Sequence, residues 1–478
     1  MTTFRWFTPW RMLLSILLAL FVAQTVGYGQ TAKLHPRRIA VFGSSVANGR
    51  GDEFARDGYT GMLRTLMAAR GWEVLNQSRG GDNVRSIVPR FTPAGAPDPK
   101  VRYLTAVNPS YVVIGLSFGN EGLYEAKTTA EKEAVFKAYG EGVQALIDRA
   151  RQNNIVPIIS GVYTRSVYTP EDYSFLRRMN VIQQQWDVPI VNFLGATDDG
   201  HGRWSLGWDD KHPQASGHKE MFYAFVPTLF EALEAGKATP VKPVNSRSFA
   251  RVAGGRAPLT YTPDSVVHPF AVSVMVRAQG NGTVAAIAGS TLVAKTETRP
   301  NEGKPFEATT LVADRTFTAT LAVQNGRWAY QSAGGTVVDS GVAADARWHH
   351  IVLSHFTGLG ETYLYVDGKL TGKVAERLEP NRFVIGGPGS GPGGGAAPAG
   401  PRQADYKDLF IFRSALNADE VAVLADGKLL QGSLEIYAPL TDAEFASNGS
   451  VENRAQSLAA LKTGAERIVR VDDAGSTN

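Results

Sequence analysis

The chain has 478 residues, of which 43% are hydrophobic, 20% charged and 10% aromatic, with no cysteine and a formal charge of +4. Such a length accommodates two domains, each able to bury its own core, and the composition excludes a globally disordered chain. The charge is too small for a nucleic-acid or anionic-membrane surface, and the missing cysteines exclude disulfides, thiolate catalysis, a cysteine-borne lipid anchor and cysteine–zinc sites.

Arg5 and Arg11 precede and open the apolar run Met12–Ala23, and small residues follow through Gly27 and Gly29. A positive start, a short apolar centre and a small-residue end are the order of a secretory signal peptide, expected at residues 1–29. The run falls short of the ~20 residues a spanning helix needs; an uncleaved anchor is the alternative. No other long apolar stretch follows. The expected location is secreted or periplasmic, with no stable membrane span after cleavage.

From residue 36 to 237 strands and helices alternate. Short Val/Ile-rich runs at 38–42, 73–77, 111–116, 156–160 and 188–193 suit strands buried on both faces. Between them, Val135, Tyr139, Val143, Leu146, Ile147 and Ala150 form a helical stripe within 130–153. Segments 58–70, 171–186 and 215–235 read as helices in the same way. This alternation predicts an α/β/α sandwich around a parallel, flavodoxin-like sheet, with ligands at the carboxyl ends of its strands.

Four stops fall at those ends. Gly43-Ser44-Ser45 leaves the first strand where a turn would expose a hydroxyl. Asn76 to Gly81 follows the second strand and Ser117 to Gly122 the third; a glycine N–H and an asparagine amide are donors suited to an oxyanion. Asp209-Asp210-Lys211-His212-Pro213 precedes the last helix. A carboxylate three residues before a histidine can hold one imidazole nitrogen while the other faces a serine. Each piece alone is a weak signal; their convergence on one sheet edge carries the reading.

The character changes near residue 238. Residues 238–246 have the proline content of a linker, and 247–465 replace helical stripes with short alternating strands at 271–276, 316–323, 350–354 and 361–366. Asn325-Gly326 and Asp367-Gly368 mark hairpins, and the pattern is that of an all-β sandwich. Residues 386–401 are a glycine- and proline-rich loop, 417–428 a short helical stretch, and 466–478 a C-terminal tail. Because every candidate catalytic residue precedes 213, a chain ending near 240 is expected to fold and to keep the chemistry; the alternative is that the second half only shields apolar surface of the first.

The first half resembles the SGNH (GDSL-type) hydrolases. Gly43-Ser44-Ser45, Gly81, Phe118-Gly119-Asn120-Glu121 and Asp209-x-x-His212 follow that family's four blocks in order and in strand context. The resemblance implies a Ser45, Asp209 and His212 triad, with Ser45 as nucleophile, His212 as base and Asp209 as its orienter. It implies an oxyanion hole from the Ser45 and Gly81 N–H groups and the Asn120 side chain. Three positions depart from the family: Ser44 and Glu121 each stand where it has aspartate, and Phe118 where it has glycine. The phenylalanine leaves open a shift of the Gly119-Asn120 alignment by one residue.

The second half resembles laminin G-like, or concanavalin A-like, jelly rolls, through Arg347-Trp348-His349-His350, Tyr363-Leu-Tyr-Val-Asp-Gly368 and Tyr406–Leu416. Such domains bind glycans or proteins, sometimes with calcium, or serve only as packing modules. Within this one, His349 and His350 read as structural rather than metal ligands, and Trp348 as core rather than a sugar platform. Together the two halves imply a secreted serine esterase without cofactor, acting through an acyl-enzyme on an ester-bearing, acetylated carbohydrate. The competing functions are a lipase or thioesterase of the same machinery and an inert glycan-binding protein.

Overall fold

The computed structural model describes residues 36–243, 248–253, 258–300, 305–386, 403–440, 450–463 and 469–472. The leader at 1–29 and nearly all of the glycine-rich loop lie outside these.

Five strands, β1 (Arg38–Gly43), β2 (Glu73–Asn76), β3 (Tyr111–Gly115), β4 (Val156–Ser160) and β5 (Ile190–Val191), form one parallel sheet in the order β2-β1-β3-β4-β5. β1 shows why it is central: Ile39, Ala40, Val41 and Phe42 are all fully buried and serve the two faces alternately. Ala40 and Phe42 meet α2 (Thr129–Gln152) and α3 (Pro170–Gln183); Ile39 and Val41 meet α1 (Gly58–Ala68). Capping boxes at Thr128 with Glu131 and at Thr169 with Asp172 start α2 and α3.

The short α4 (Phe193–Thr197) follows β5, and the helix expected over 215–235 is two, α5 (Ala215–Tyr223) and α6 (Leu229–Glu234). Pro227 explains the break: it has no N–H for the Tyr223 carbonyl and its ring crowds the preceding turn. That carbonyl accepts from Arg413 Nη1 of the second domain at 3.4 Å.

The second domain packs two antiparallel eight-stranded sheets face to face among the described residues. Their inner faces supply a core that includes Trp328, Tyr406, Ile351 and Phe383. Val469–Asp472, read above as tail, pairs antiparallel with Ser248–Ala253. A strand of four residues in a charged segment leaves too short an alternation to read.

The domains share a polar seam. Ser433 donates its N–H to the Ile190 carbonyl at 3.0 Å, and its Oγ accepts from the Asn192 N–H at 2.8 Å. The second domain thereby continues the hydrogen bonding of β5, which pairs with β4 over only two residues, and covers that sheet edge. Glu420, on α7 (Ala418–Ala425), is fully buried there. Its Oε1 accepts from the side-chain amides of Asn180, Gln184 and Asn192 at 2.9, 2.5 and 2.7 Å. His268 bridges Glu220 of α5 at 2.8 Å and Glu379 at 3.2 Å, and the pair of carboxylates outweighs burial to raise it to about 9. A chain ending near 240 would orphan these groups and uncover β5, so the expectation that it folds alone gives way to one in which both domains form a single structural unit.

Candidate active site

Ser44 and Ser45 leave β1 on opposite courses. Ser44 is buried, with its Oγ 3.0 Å from the Tyr163 hydroxyl. Ser45 is half-buried and opens onto a cavity of about 650 Å³ at the carboxyl ends of the strands. Its Oγ lies 3.0 Å from His212 Nε2, although 167 positions separate the two residues.

The turn before α5 shapes itself around Asp209. Its Oδ1 accepts the N–H groups of Lys211 and His212, each at 2.7 Å. Both carboxylate oxygens lie 3.0 Å from His212 Nδ1. Burial pushes the Asp209 carboxyl up, but the hydrogen bonds from the His212 ring and the Lys211 amide outweigh it and hold it below the usual range. Asp210 is exposed, and among the described residues only its backbone carbonyl is engaged, by the Ser166 N–H at 2.8 Å. His201 is exposed as well. His218 is on α5, wholly buried, and donates from Nε2 to the Arg50 carbonyl at 2.9 Å; burial lowers it to about 4.

Gly81 and Asn120 face Ser45 across the cavity. Gly81 has φ +83° with open space where a Cβ would stand, so the left-handed backbone, rather than crowding, calls for glycine. Neither the Ser45 nor the Gly81 N–H has an acceptor among the described residues. Asn120 Nδ2 donates to the Asp82 carbonyl at 3.0 Å with one of its two hydrogens, and its Oδ1 accepts from Arg165 Nη2 at 3.0 Å. Asp82, fully buried, pairs with Arg90 and with Arg79, which fixes the Gly81 turn. Glu121 ties the two loops together by accepting the Val84 N–H at 2.9 Å, and burial raises its carboxyl to about 7.

Phe118 does not disturb this arrangement. It points away from the cavity into the core, its ring 4.4 Å from that of Tyr139, and leaves Asn120 on the cavity wall. The asparagine on that wall is the one the block alignment names.

Arg50, Arg165, Lys211 and Glu125 also line the cavity and were not singled out from the sequence. Arg50 follows Ser45 by five residues and Arg165 follows the end of β4 by five, so position after a strand was the available signal. Arg50 also lies over the ring of Trp208, 4.8 Å from its centroid.

In the second domain His349 engages Asp367 through Nδ1 at 2.9 Å and Asp345 through Nε2 at 3.0 Å, while His350 pairs with the Ser273 hydroxyl at 2.8 Å. Both are structural contacts. Trp348 is not core as expected: it is half-buried, with Lys407 Nζ 4.3 Å and Arg277 Cζ 4.9 Å from its ring centroid. Those cations come from distant strands and leave no local signal; the core tryptophan of the second domain is Trp328.

Residues 41–220 match the GDSL-like lipase/acylhydrolase family. The first domain is a GDSL-type acylhydrolase domain. Residues 261–422 match the concanavalin A-like lectin/glucanases superfamily. No curated protein matches the chain. Among solved structures, the acylhydrolase domain is similar to a catalytic mutant of Axe2, an acetylxylan esterase from Geobacillus stearothermophilus, at 18% identity over 40% of this chain and 92% of that one, with a TM-score of 0.31. It is similar to the psychrotrophic esterase EstA from Pseudoalteromonas sp. at 17% identity over 41% and 99% of the two chains, TM-score 0.32. A SAP-like pentraxin from Limulus polyphemus is 15% identical over 38% of this chain and 84% of its own, TM-score 0.28. Among the described residues no helix is long and apolar enough to cross a membrane.

Proposed function

We propose that the protein is a secreted serine esterase that removes acetyl groups from carbohydrate. The observation that carries this reading is the unbroken line of hydrogen-bonding distances from Asp209 through His212 to Ser45 beside two unengaged backbone N–H groups. In this reading Ser45 Oγ attacks the ester carbonyl as His212 Nε2 takes its proton. The Ser45 and Gly81 N–H groups and the second Asn120 Nδ2 hydrogen receive the oxyanion. Asp209 keeps the Nδ1–H tautomer and stabilises the imidazolium. His212 then protonates the departing alcohol, and a water activated by the same nitrogen attacks the acyl-enzyme, releasing acetate and restoring Ser45.

The lining supports a short acyl group and a polar alcohol. Apart from glycines, the cavity wall consists of Ser45, Asn48, Arg50, Asn120, Glu125, Arg165, Lys211 and His212, with no apolar side chain. A long acyl chain would meet only the stems of charged side chains and no aliphatic or aromatic one, which disfavours the lipase and thioesterase alternative. Secretion rests on the leader pattern around Arg5, Arg11 and Met12–Ala23. The test compares aryl esters of acetate, butyrate and octanoate, together with acetylated and deacetylated oligosaccharides. Turnover falling with chain length and acetate released from the oligosaccharide support the reading; faster turnover of octanoate contradicts it.

A further inference from the structure

We infer that the second domain's longest hairpin is a positioning element of the hydrolytic site, in which Arg299 acts through Glu53 on the segment that carries His212. The inference rests on the reading of His212 as the base.

The hairpin joins Gly282–Arg299 to Phe306–Gln324, with Arg299 opposite Phe306. Its proximal part belongs to the sandwich, where Val284, Ile287, Phe317 and Leu321 are core. From Val293 outward the strands pair with each other, and residues 293–298 are exposed. A two-stranded ribbon standing in water is marginal on its own. This one ends on the acylhydrolase domain, and Ala308, on the otherwise open arm, is buried there.

Two hydrogen bonds make the landing. Arg299 Nη1 donates to Glu53 Oε1 at 2.7 Å, and the Thr309 N–H donates to Gln214 Oε1 at 2.8 Å. The guanidinium also lies 4.6 Å from the Phe54 ring centroid. On the other side, Glu53 Oε2 accepts the Ala215 N–H at 2.7 Å. Gln214 and Ala215 follow His212-Pro213 without a break, so both landing points are within three residues of the imidazole. Gly51 closes the circuit: a Cβ there would stand 2.1 Å from the Pro213 carbonyl oxygen and 3.1 Å from His212 Cβ. The segment 50–53 is thus packed on the histidine's backbone, and Arg299 holds it from outside as His218 holds Arg50 from beneath. None of the hairpin residues named lines the catalytic cavity, so they act through Glu53 and Gln214.

The geometry assigns a measurable consequence. Displacement of a catalytic group by about 1 Å can cost on the order of a hundredfold in rate. In the full-length protein, Arg299→Ala is expected to lower kcat on a small acetyl ester roughly tenfold or more, with KM and melting temperature nearly unchanged. Arg299→Lys, which restores the positive charge toward Glu53, should recover most of the loss. Glu53→Gln should lower kcat as well, and in its presence Arg299→Ala should have little further effect. Labelling of Ser45 by an aryl phosphonate ester runs alongside, with Ser45→Ala as reference. If Ser45→Ala abolishes labelling and turnover while Arg299→Ala keeps kcat within twofold of wild type, the hairpin has no positioning role and the functional reading stands. A lower melting temperature with kcat unchanged also overturns it, since that marks a purely structural contact. If the wild type is neither labelled nor active, the functional reading falls and this inference with it.

Discussion

Glu420 is where the unity of the two domains can be tested most severely. Replacing it with leucine keeps most of its volume and removes the acceptor of three buried amides, those of Asn180, Gln184 and Asn192, all from the acylhydrolase domain. A buried donor left without a partner costs about 1–3 kcal/mol, so three cost roughly 3–9 before water or repacking relieves part. Burial raises the Glu420 carboxyl to about 7. At pH 5 it is protonated in the fold, so the substitution there removes hydrogen bonds and not a charge. For domains of this size each kcal/mol moves the melting temperature by about 2–4 °C, which puts the expected fall at roughly 6 °C at the low end and at up to about 36 °C where nothing relieves the lost partners. The control is Asp419→Asn, on the same helix but half-exposed in its ion pair with Arg177, where the expected change is below about 0.5 kcal/mol. Thermal unfolding followed by both circular dichroism and residual esterase activity reads the result. Should Glu420→Leu melt within 2 °C of wild type, the seam contributes little and the domains are only tethered.

The sign of the pH dependence is also set at this seam. The folded-state value of Glu420 is raised, so its contribution is present below about 4.5 and is lost as pH rises through about 7; Glu420→Gln should flatten that part of a stability–pH curve. His268 is raised to about 9, so its contribution is complete below about 6.5 and disappears between there and pH 9, and His268→Gln should remove this later decline. At the site, Asn120→Ala should reduce kcat by roughly 10²–10³ with little change in KM, whereas a pure KM effect would make Asn120 an ordinary binding residue. Asp209→Asn should lower turnover strongly and Asp210→Asn weakly, because only Asp209 reaches the imidazole; steady-state kinetics giving the reverse order would place the orienter wrongly.

The parallel sheet and the four candidate segments were legible because each rests on a local pattern. Ile39 to Phe42 is apolar at every position, as a strand covered on both faces requires, and each candidate residue lies just beyond such a run or before the last helix. Phe118 left the Asn120 alignment open in the sequence; its ring lies in the core against Tyr139, on the far side from the cavity. Pro227 marked the break in the last helical segment, but the apolar stripe on either side of it masked the interruption. What sequence pattern did not carry was contact between distant segments. Nothing in the alternation of 282–324 says that its distal half leaves the sandwich to meet Glu53 and Gln214. Nothing in Ala418–Ala425 says that a glutamate in the first turn of an amphipathic helix will be buried under another domain's amides. Trp348 differs for a related reason: residue type suggested core, while in the structure Lys407 and Arg277 lie over its half-buried ring.

All of the proposed chemistry requires Ser45 to be the nucleophile of an ester hydrolase. The most direct measurement is the rate of acetate release from an aryl acetate by full-length wild type, Ser45→Ala and Ser44→Ala. Ser45→Ala is expected to lose at least about three orders of magnitude in kcat while Ser44→Ala, whose native hydroxyl faces Tyr163 and not the cavity, is expected to stay within about tenfold of wild type. Near-wild-type turnover by Ser45→Ala, or loss confined to Ser44→Ala, would contradict it.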